Sequence, residues 1–220
     1  MVAPLVAPLA PQLHMPRPTT LRVVYDFETT GIGKTKDIHV TQVGAQCLDD
    51  DFQPISTFTR FVNPRARISA GATKVSGITN DAVSDLPAWD TVGKDFAQWI
   101  ATEMRSAGAS NVTLVAHNGK VYDARILVFE NARHHIPTPC EWHHCDSIPV
   151  FKAMFPAEVT YSLGKLYASV FGAPFANAHT ADADCAAIAS LLRRDADWAR
   201  ELITSNKESF SAVGKRCFKV

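Results

Sequence analysis

Residues 21–31, Leu21-Arg22-Val23-Val24-Tyr25-Asp26-Phe27-Glu28-Thr29-Thr30-Gly31, are the stretch on which the fold turns. Its apolar and β-branched start predicts a buried strand. Side chains alternate along a strand, so Val24, Asp26 and Glu28 share one face and Tyr25 and Phe27 the other. At a rise of about 3.3–3.4 Å per residue, the two carboxylates stand roughly 7 Å apart. Burying charge there is costly. A hard divalent cation would offset that cost, because it takes carboxylate oxygens as ligands. By themselves, two acids at a strand end are most simply a solvated terminus.

Working outward, His39 to Leu48 and Ser56 to Val62 read as two more strands, joined by a turn at Asp49-Asp50-Asp51. From Asp81 to Met104 the pattern is helical, with Trp89, Val92, Phe96, Trp99 and Ile100 at spacings of three and four. Val112 to Ala116 is a short apolar strand and His143 to Asp146 a briefer one. Asp123 to Ala132, residues 148–155 and residues 162–171 read as helices. Thr180 caps a well-marked helix, Ala181 to Arg194. Strands first, then alternating helix and strand, indicate an α/β domain with a mixed sheet. The strand from Leu21 is its centre, being the most apolar. The division expected is a flexible Pro/Ala-rich leader over 1–20, with the repeat VAPL-VAPL, a domain over 21–195, and a polar tail over 196–220 with room for one more helix.

The 220 residues are 46% hydrophobic, which suits a globular domain with a full core. Lysine and arginine number 22 and aspartate and glutamate 22, so the formal net charge is zero. Proteins that hold nucleic acid usually present a basic face. A polyanionic partner would therefore require a local patch or metal ions. Five cysteines without framework spacing point to free thiols in a reducing, intracellular compartment, cytoplasm or nucleus, rather than to secretion. The leader lacks the positive charge that opens a signal peptide. No run of about 18 apolar residues exists, so no membrane span is expected.

Two further segments carry acids. Ala116-His117-Asn118-Gly119-Lys120-Val121-Tyr122-Asp123 follows a strand and opens a helix. Asp123 shares a stripe with Ile126 and Leu127, which turns it inward. An ordinary first-turn acid at the positive end of the helix dipole is the plainer alternative. In His179-Thr180-Ala181-Asp182-Ala183-Asp184, Asp184 lies on the stripe of Ile188 and Leu191, while Asp182 falls about 200° away and is expected in solvent. His179 precedes the cap and belongs to a loop above the helix start. It is either a surface histidine or a base reaching over a metal site. Together the segments say more than each does singly. Four inward acids in a neutral chain repel one another unless cations join them. Asp26, Glu28, Asp123 and Asp184 suit two-metal phosphodiester hydrolysis, with two ions about 3.5–4 Å apart. His179 suits the base that takes a proton from the attacking water.

The order and context of these pieces resemble the DEDDh exonucleases of the ribonuclease H-like superfamily, and most of all the three-prime repair exonucleases. Asp26 and Glu28, flanked by Phe27, Thr29, Thr30 and Gly31, match the first motif. Leu114 to Gly119 with Tyr122-Asp123 resembles the second. Tyr161-Ser162-Leu163-Gly164-Lys165-Leu166-Tyr167 resembles the segment before the third, and His179-Thr180-Ala181 with Asp184 resembles the third itself. The resemblance spans residues 21–195. It implies a mixed five-stranded sheet flanked by helices, two Mg²⁺ ions (or Mn²⁺ in their place) on the four acids, and His179 as base. It implies 3′→5′ removal of nucleoside 5′-monophosphates from DNA ends, single-stranded ends by preference. Trimming of RNA and a catalytically silent nucleic-acid-binding module are the alternatives.

The resemblance also places Phe27, Thr29 and Thr30 at the terminal nucleotide, with His179 and Asn118 near it. Ala72-Thr73-Lys74-Val75-Ser76-Gly77-Ile78-Thr79 resembles a loop that meets that nucleotide, which brings in Val75 and Ile78. Ser76 departs from the histidine common there. Arg65, Arg67, Lys74, Lys120 and Arg125 are candidates for a phosphate track, or are solvated surface charge. Relatives pair through an exposed edge strand, so a homodimer is compatible with the resemblance. Cys140-Glu141-Trp142-His143-His144-Cys145 suggests zinc by composition. Yet adjacent histidines on a strand point opposite ways, so a packed strand is the simpler reading.

Overall fold

The computed structural model describes residues 20–218, so the Pro/Ala-rich leader lies outside the described residues except for Thr20. Thr20 already opens the first strand, β1 (Thr20–Thr29). The strands β2 (Val40–Leu48) and β3 (Pro54–Phe61) follow. Then come three helices, α1 (Ala70–Ser76), α2 (Asn80–Val83) and α3 (Trp89–Ser106). Next are β4 (Asn111–Ala116), α4 (Asp123–Arg133), β5 (Trp142–Asp146), α5 (Ser147–Met154), α6 (Leu163–Phe171) and α7 (Ala181–Leu192). The chain closes with α8 (Ala196–Asn206), β6 (Glu208–Ser209) and α9 (Phe210–Cys217).

The sheet order is β3-β2-β1-β4-β5-β6. Strand β1 pairs antiparallel with β2 and parallel with β4, so the sheet is mixed and β1 lies inside it. Among the described residues six strands are present, where five were expected. The sixth is the two-residue β6, which pairs antiparallel with His143 and His144 of β5. Two residues carry no hydrophobic alternation, so nothing in the sequence marks them as a strand. They are brought to the edge because α9 follows at once and sinks Phe210 and Val213 into the core.

Side-chain alternation along β1 divides the core. Val23, Tyr25 and Phe27 pack with Trp89, Phe96 and Ile100 of α3 and with Ile126 and Leu127 of α4. Val24 packs on the other face with Cys185, Ile188 and Leu191 of α7. The helix expected over Asp81 to Met104 is broken. Pro87 lacks an N–H and disfavours a helical residue before it. Its carbonyl instead accepts from the Asn63 amide at 3.0 Å, and α3 starts afresh at Trp89. The segment read as a loop around Lys74 is the helix α1. Its start is capped by Ser69, whose side chain accepts from the Ala72 amide, and its end by Gly77 at φ 74°. No helix among the described residues is long and apolar enough to cross a membrane.

Candidate active site

Strand β1 outruns its parallel neighbour. Pairing with β4 covers Thr20 to Val24 only, whereas pairing with β2 continues to Thr29. The last turn of β1 therefore presents a free backbone edge on the β4 side. Beyond Ala116 the chain turns through Asn118, at φ 56°, and enters α4 at Asp123. The Phe27 amide on that free edge donates to Asp123 Oδ1 at 3.2 Å. This bond holds Asp123, only 3% exposed, beside the β1 acids.

The third acid arrives from the other face through β2. Gly44 stands opposite Asp26, and Gln42 opposite Glu28. A Cβ at Gly44 would lie 2.5 Å from the Ala181 carbonyl carbon, so only glycine lets the start of α7 sit on the sheet there. Gln42 Oε1 accepts from the Ala181 amide at 3.2 Å, and the Cys185 thiol donates to the Gly44 carbonyl at 3.3 Å. Thr180 occupies the cap position but its hydroxyl donates backwards to the Asn177 carbonyl. The side chain that satisfies the start of α7 is thus Gln42, not Thr180. The result is convergence: one oxygen each from Asp26, Glu28 and Asp184 lies within 4.8 Å of the others. Asp182 points into solvent.

No lysine or arginine pairs with any of the four carboxylates among the described residues. Their protonation equilibria show the strain. Burial, then the neighbouring Asp123, Asp184 and Glu28, hold Asp26 well above the usual carboxylate range. Burial and Asp184 push Glu28 up to about 7. Burial raises Asp123 to about 7 against the opposing backbone hydrogen bonds, one of them from Phe27. Asp184 is raised by burial, moderated by the His179 amide and ring. Buried and half-buried carboxylates that repel one another and have no cationic side-chain partner among the described residues form a donor set that fits a divalent cation.

A cavity of about 900 Å³ opens beside the acids, lined by Phe27, Glu28, Thr29, Ile32, Ser69, Lys74, Val75, Tyr122 and His179 among others. His179 is exposed at φ 70°, and its amide donates to Asp184 Oδ1 at 3.4 Å. Tyr122 has a place in the second motif but no role in the sequence reading, yet its hydroxyl donates to the Gly31 carbonyl at 2.9 Å and lies 3.1 Å from Thr29 Oγ1. Of the residues expected at a terminal nucleotide, Phe27, Thr29, Val75 and His179 line this cavity. Thr30 is buried behind it and accepts from the His39 amide. Ile78 is buried with Ile68 and Val83 beneath α1, and Asn118 is exposed on the turn before α4. The cysteine–histidine segment gathers no further metal-ligand group among the described residues. All five cysteines are free thiols.

The exonuclease family model RNase T matches residues 23–192. DNA polymerase III PolC-type from Bacillus cereus is 28% identical over 165 residues, 67% of this chain and 11% of that protein. Exonuclease DPD1, chloroplastic/mitochondrial, from Arabidopsis thaliana is 32% identical over 130 residues, 58% of this chain and 39% of that protein. The chain thus spans a minor share of these relatives. Among solved structures, cell-death related nuclease 4 (CRN-4) superposes with a TM-score of 0.65 at 21% identity, covering 87% of this chain and 66% of that one. The E. coli ExoI–ssDNA complex in its zinc-bound form superposes with a TM-score of 0.64 at 18% identity, covering 84% and 43%. At such identities the structural likeness is one of fold.

Proposed function

The chain belongs to the exonuclease family, and on that premise we propose that it is a metal-dependent 3′→5′ exonuclease acting on DNA ends, releasing nucleoside 5′-monophosphates. The observation that carries the reading is the convergence of Asp26, Glu28 and Asp184 within 4.8 Å, with Glu28 of that set lining a cavity that His179 also lines. The polarity rests on the motif order shared with the DEDDh exonucleases. A DNA substrate is supported by the ExoI–ssDNA neighbour and a single-stranded end by the cavity, which takes one splayed terminal nucleotide. Asp26, Glu28, Asp123 and Asp184 would hold two Mg²⁺ ions, with Mn²⁺ as substitute. Such ions, when bound, lower the pKa of a water and stabilise the leaving oxygen. Phe27 and Thr29 position the terminal nucleotide, Tyr122 braces Thr29 and the Gly31 carbonyl, and His179 accepts the proton of the attacking water.

Digestion of matched DNA and RNA oligonucleotides, each labelled at one end or the other, tests all parts of this reading. With Mg²⁺ the wild-type chain is expected to release mononucleotides from the 3′ end, faster from DNA. Asp26→Ala is expected to stop release. Faster loss from RNA would move the substrate to RNA, and loss from the 5′ end would overturn the polarity. Binding without any release in Mg²⁺ or Mn²⁺ would overturn the enzyme reading.

A further inference from the structure

A second groove, of about 480 Å³, lies on the outer side of the Gly31–Lys36 loop. It shares Ile32 and Tyr122 with the cavity beside the acids, so the two adjoin at the loop. Lys34, Lys36 and Arg125 supply its charge, and among the described residues no acidic side chain lines it. None of the three cations is engaged in an ion pair among the described residues. Its apolar edges are unusual for a surface: Ile32 is fully exposed and Val121 is 57% exposed. Phe129 forms the far wall, edge-on to Phe218 with ring centroids 5.3 Å apart.

The loop wall is held from outside the site. Arg133, at the end of α4, donates to the Lys36 carbonyl at 2.7 Å and to Glu130 Oε1 at 2.6 Å. Buried Glu130 also meets His39, where the loop rejoins β2, at 3.3 Å. One end of the loop is thus fixed to α4, the helix that also provides Arg125 and Asp123. Three cations outside any ion pair, beside exposed apolar side chains, match the chemistry of a single nucleic-acid strand, which offers phosphates and base faces together. In a chain of zero net charge, such a patch supplies what bulk charge does not.

We infer that this groove carries the substrate strand beyond its terminal nucleotide, with Lys34, Lys36 and Arg125 on phosphates and Ile32 and Val121 against bases. The inference rests on the exonuclease reading for the direction of the strand, while the groove's affinity for nucleic acid is measurable without turnover. Binding of a fluorescent single-stranded 12-mer by the full chain is followed in Ca²⁺ from low to high salt. Single strands give a log–log salt slope of about −0.7 per phosphate contact. The variant Lys34→Gln/Lys36→Gln/Arg125→Gln is expected to flatten the slope by about 2, and Lys34→Gln alone, at an exposed position, by about 0.7. Lys94→Gln/Lys152→Gln, on exposed positions away from the groove, is expected to keep the wild-type slope. An unchanged slope in both groove variants, or equal flattening in the Lys94/Lys152 pair, would overturn the proposal. Tighter binding of an acidic peptide than of the 12-mer would assign the groove to a protein partner instead. A flattened slope together with absent mononucleotide release by the wild-type chain in Mg²⁺ or Mn²⁺ would leave the groove standing and sink the exonuclease reading.

Discussion

His179 shows how a single residue's geometry restricts its role. Its φ of 70° is uncommon for a residue with a Cβ, and it places the ring at the cavity while the amide reaches Asp184. The backbone contact belongs to any residue at this position, whereas the ring's proton chemistry does not. His179→Ala is therefore expected to lower kcat by about 10²–10⁴, the usual contribution of a positioned base. KM should change far less. Steady-state kinetics on a single-stranded oligonucleotide measure both, and an equal loss in kcat and in binding would remove the base assignment. The site acids were legible in the sequence because strand alternation and helical stripes dictate where Asp26, Glu28, Asp123 and Asp184 point. Tyr122 was not legible. An aromatic residue ahead of a helix carries no signal of the two oxygens its hydroxyl will meet across more than 90 residues of chain.

At the scale of the elements, the site depends on one close approach. Gly44 admits the start of α7, and Gln42 satisfies its first amide, so β2 sets where Asp184 stands relative to Asp26 and Glu28. Gly44→Ala would force a methyl group against the backbone of Ala181 and Asp182, which cannot relax as a flexible side chain would. Overpacking of this kind costs about 1–3 kcal/mol. The expected outcome is a lower Tm together with weaker stabilisation by Mg²⁺, because Asp184 is displaced. Gly164→Ala, with open space around the added carbon, serves as the neutral comparison. A Gly44→Ala chain with wild-type Tm and Mg²⁺ response would mean that α7 is not held by this approach. Gly44 was open to a sequence reading, since glycine inside a strand signals close approach of another backbone. Gln42 was not, because its partner lies 139 residues away. Strand and helix identities were legible wherever period two or period 3.6 ran long enough. The reading erred where local chemistry overrode the period, at Pro87 within a helical stripe, and where no period exists, at the two residues of β6.

For the whole molecule, the acid cluster links stability to pH and to metal. Glu28 and Asp123 titrate near 7 in the folded chain, and Asp26 and Asp184 are also raised, all from ordinary values near 4. The folded state thus holds protons that the unfolded chain has already released. Stability falls wherever the folded state binds more protons than the unfolded one. Taken by itself, the metal-free cluster therefore lowers stability progressively as pH rises from about 4 through about 7, where Glu28 and Asp123 release their protons. A divalent cation binds the ionised carboxylates, so its effect runs the other way and grows with pH. At a metal concentration a hundred times its Kd, binding adds about 2.7 kcal/mol. For a chain of this size that corresponds to a rise in Tm of about 5–10 °C. Thermal unfolding in chelator at pH 5.5 and at pH 8 should give the lower Tm at pH 8. Added Mg²⁺ should raise Tm by several degrees at pH 8 and by much less at pH 5.5. Asp26→Asn, which removes one of the repelling charges, should narrow the pH difference in chelator and reduce the Mg²⁺ response together. A chelated chain whose Tm rises steadily from pH 5.5 to pH 8, with a Mg²⁺ response the same at both, would show that the site's carboxylates do not repel one another as the convergence of Asp26, Glu28 and Asp184 requires.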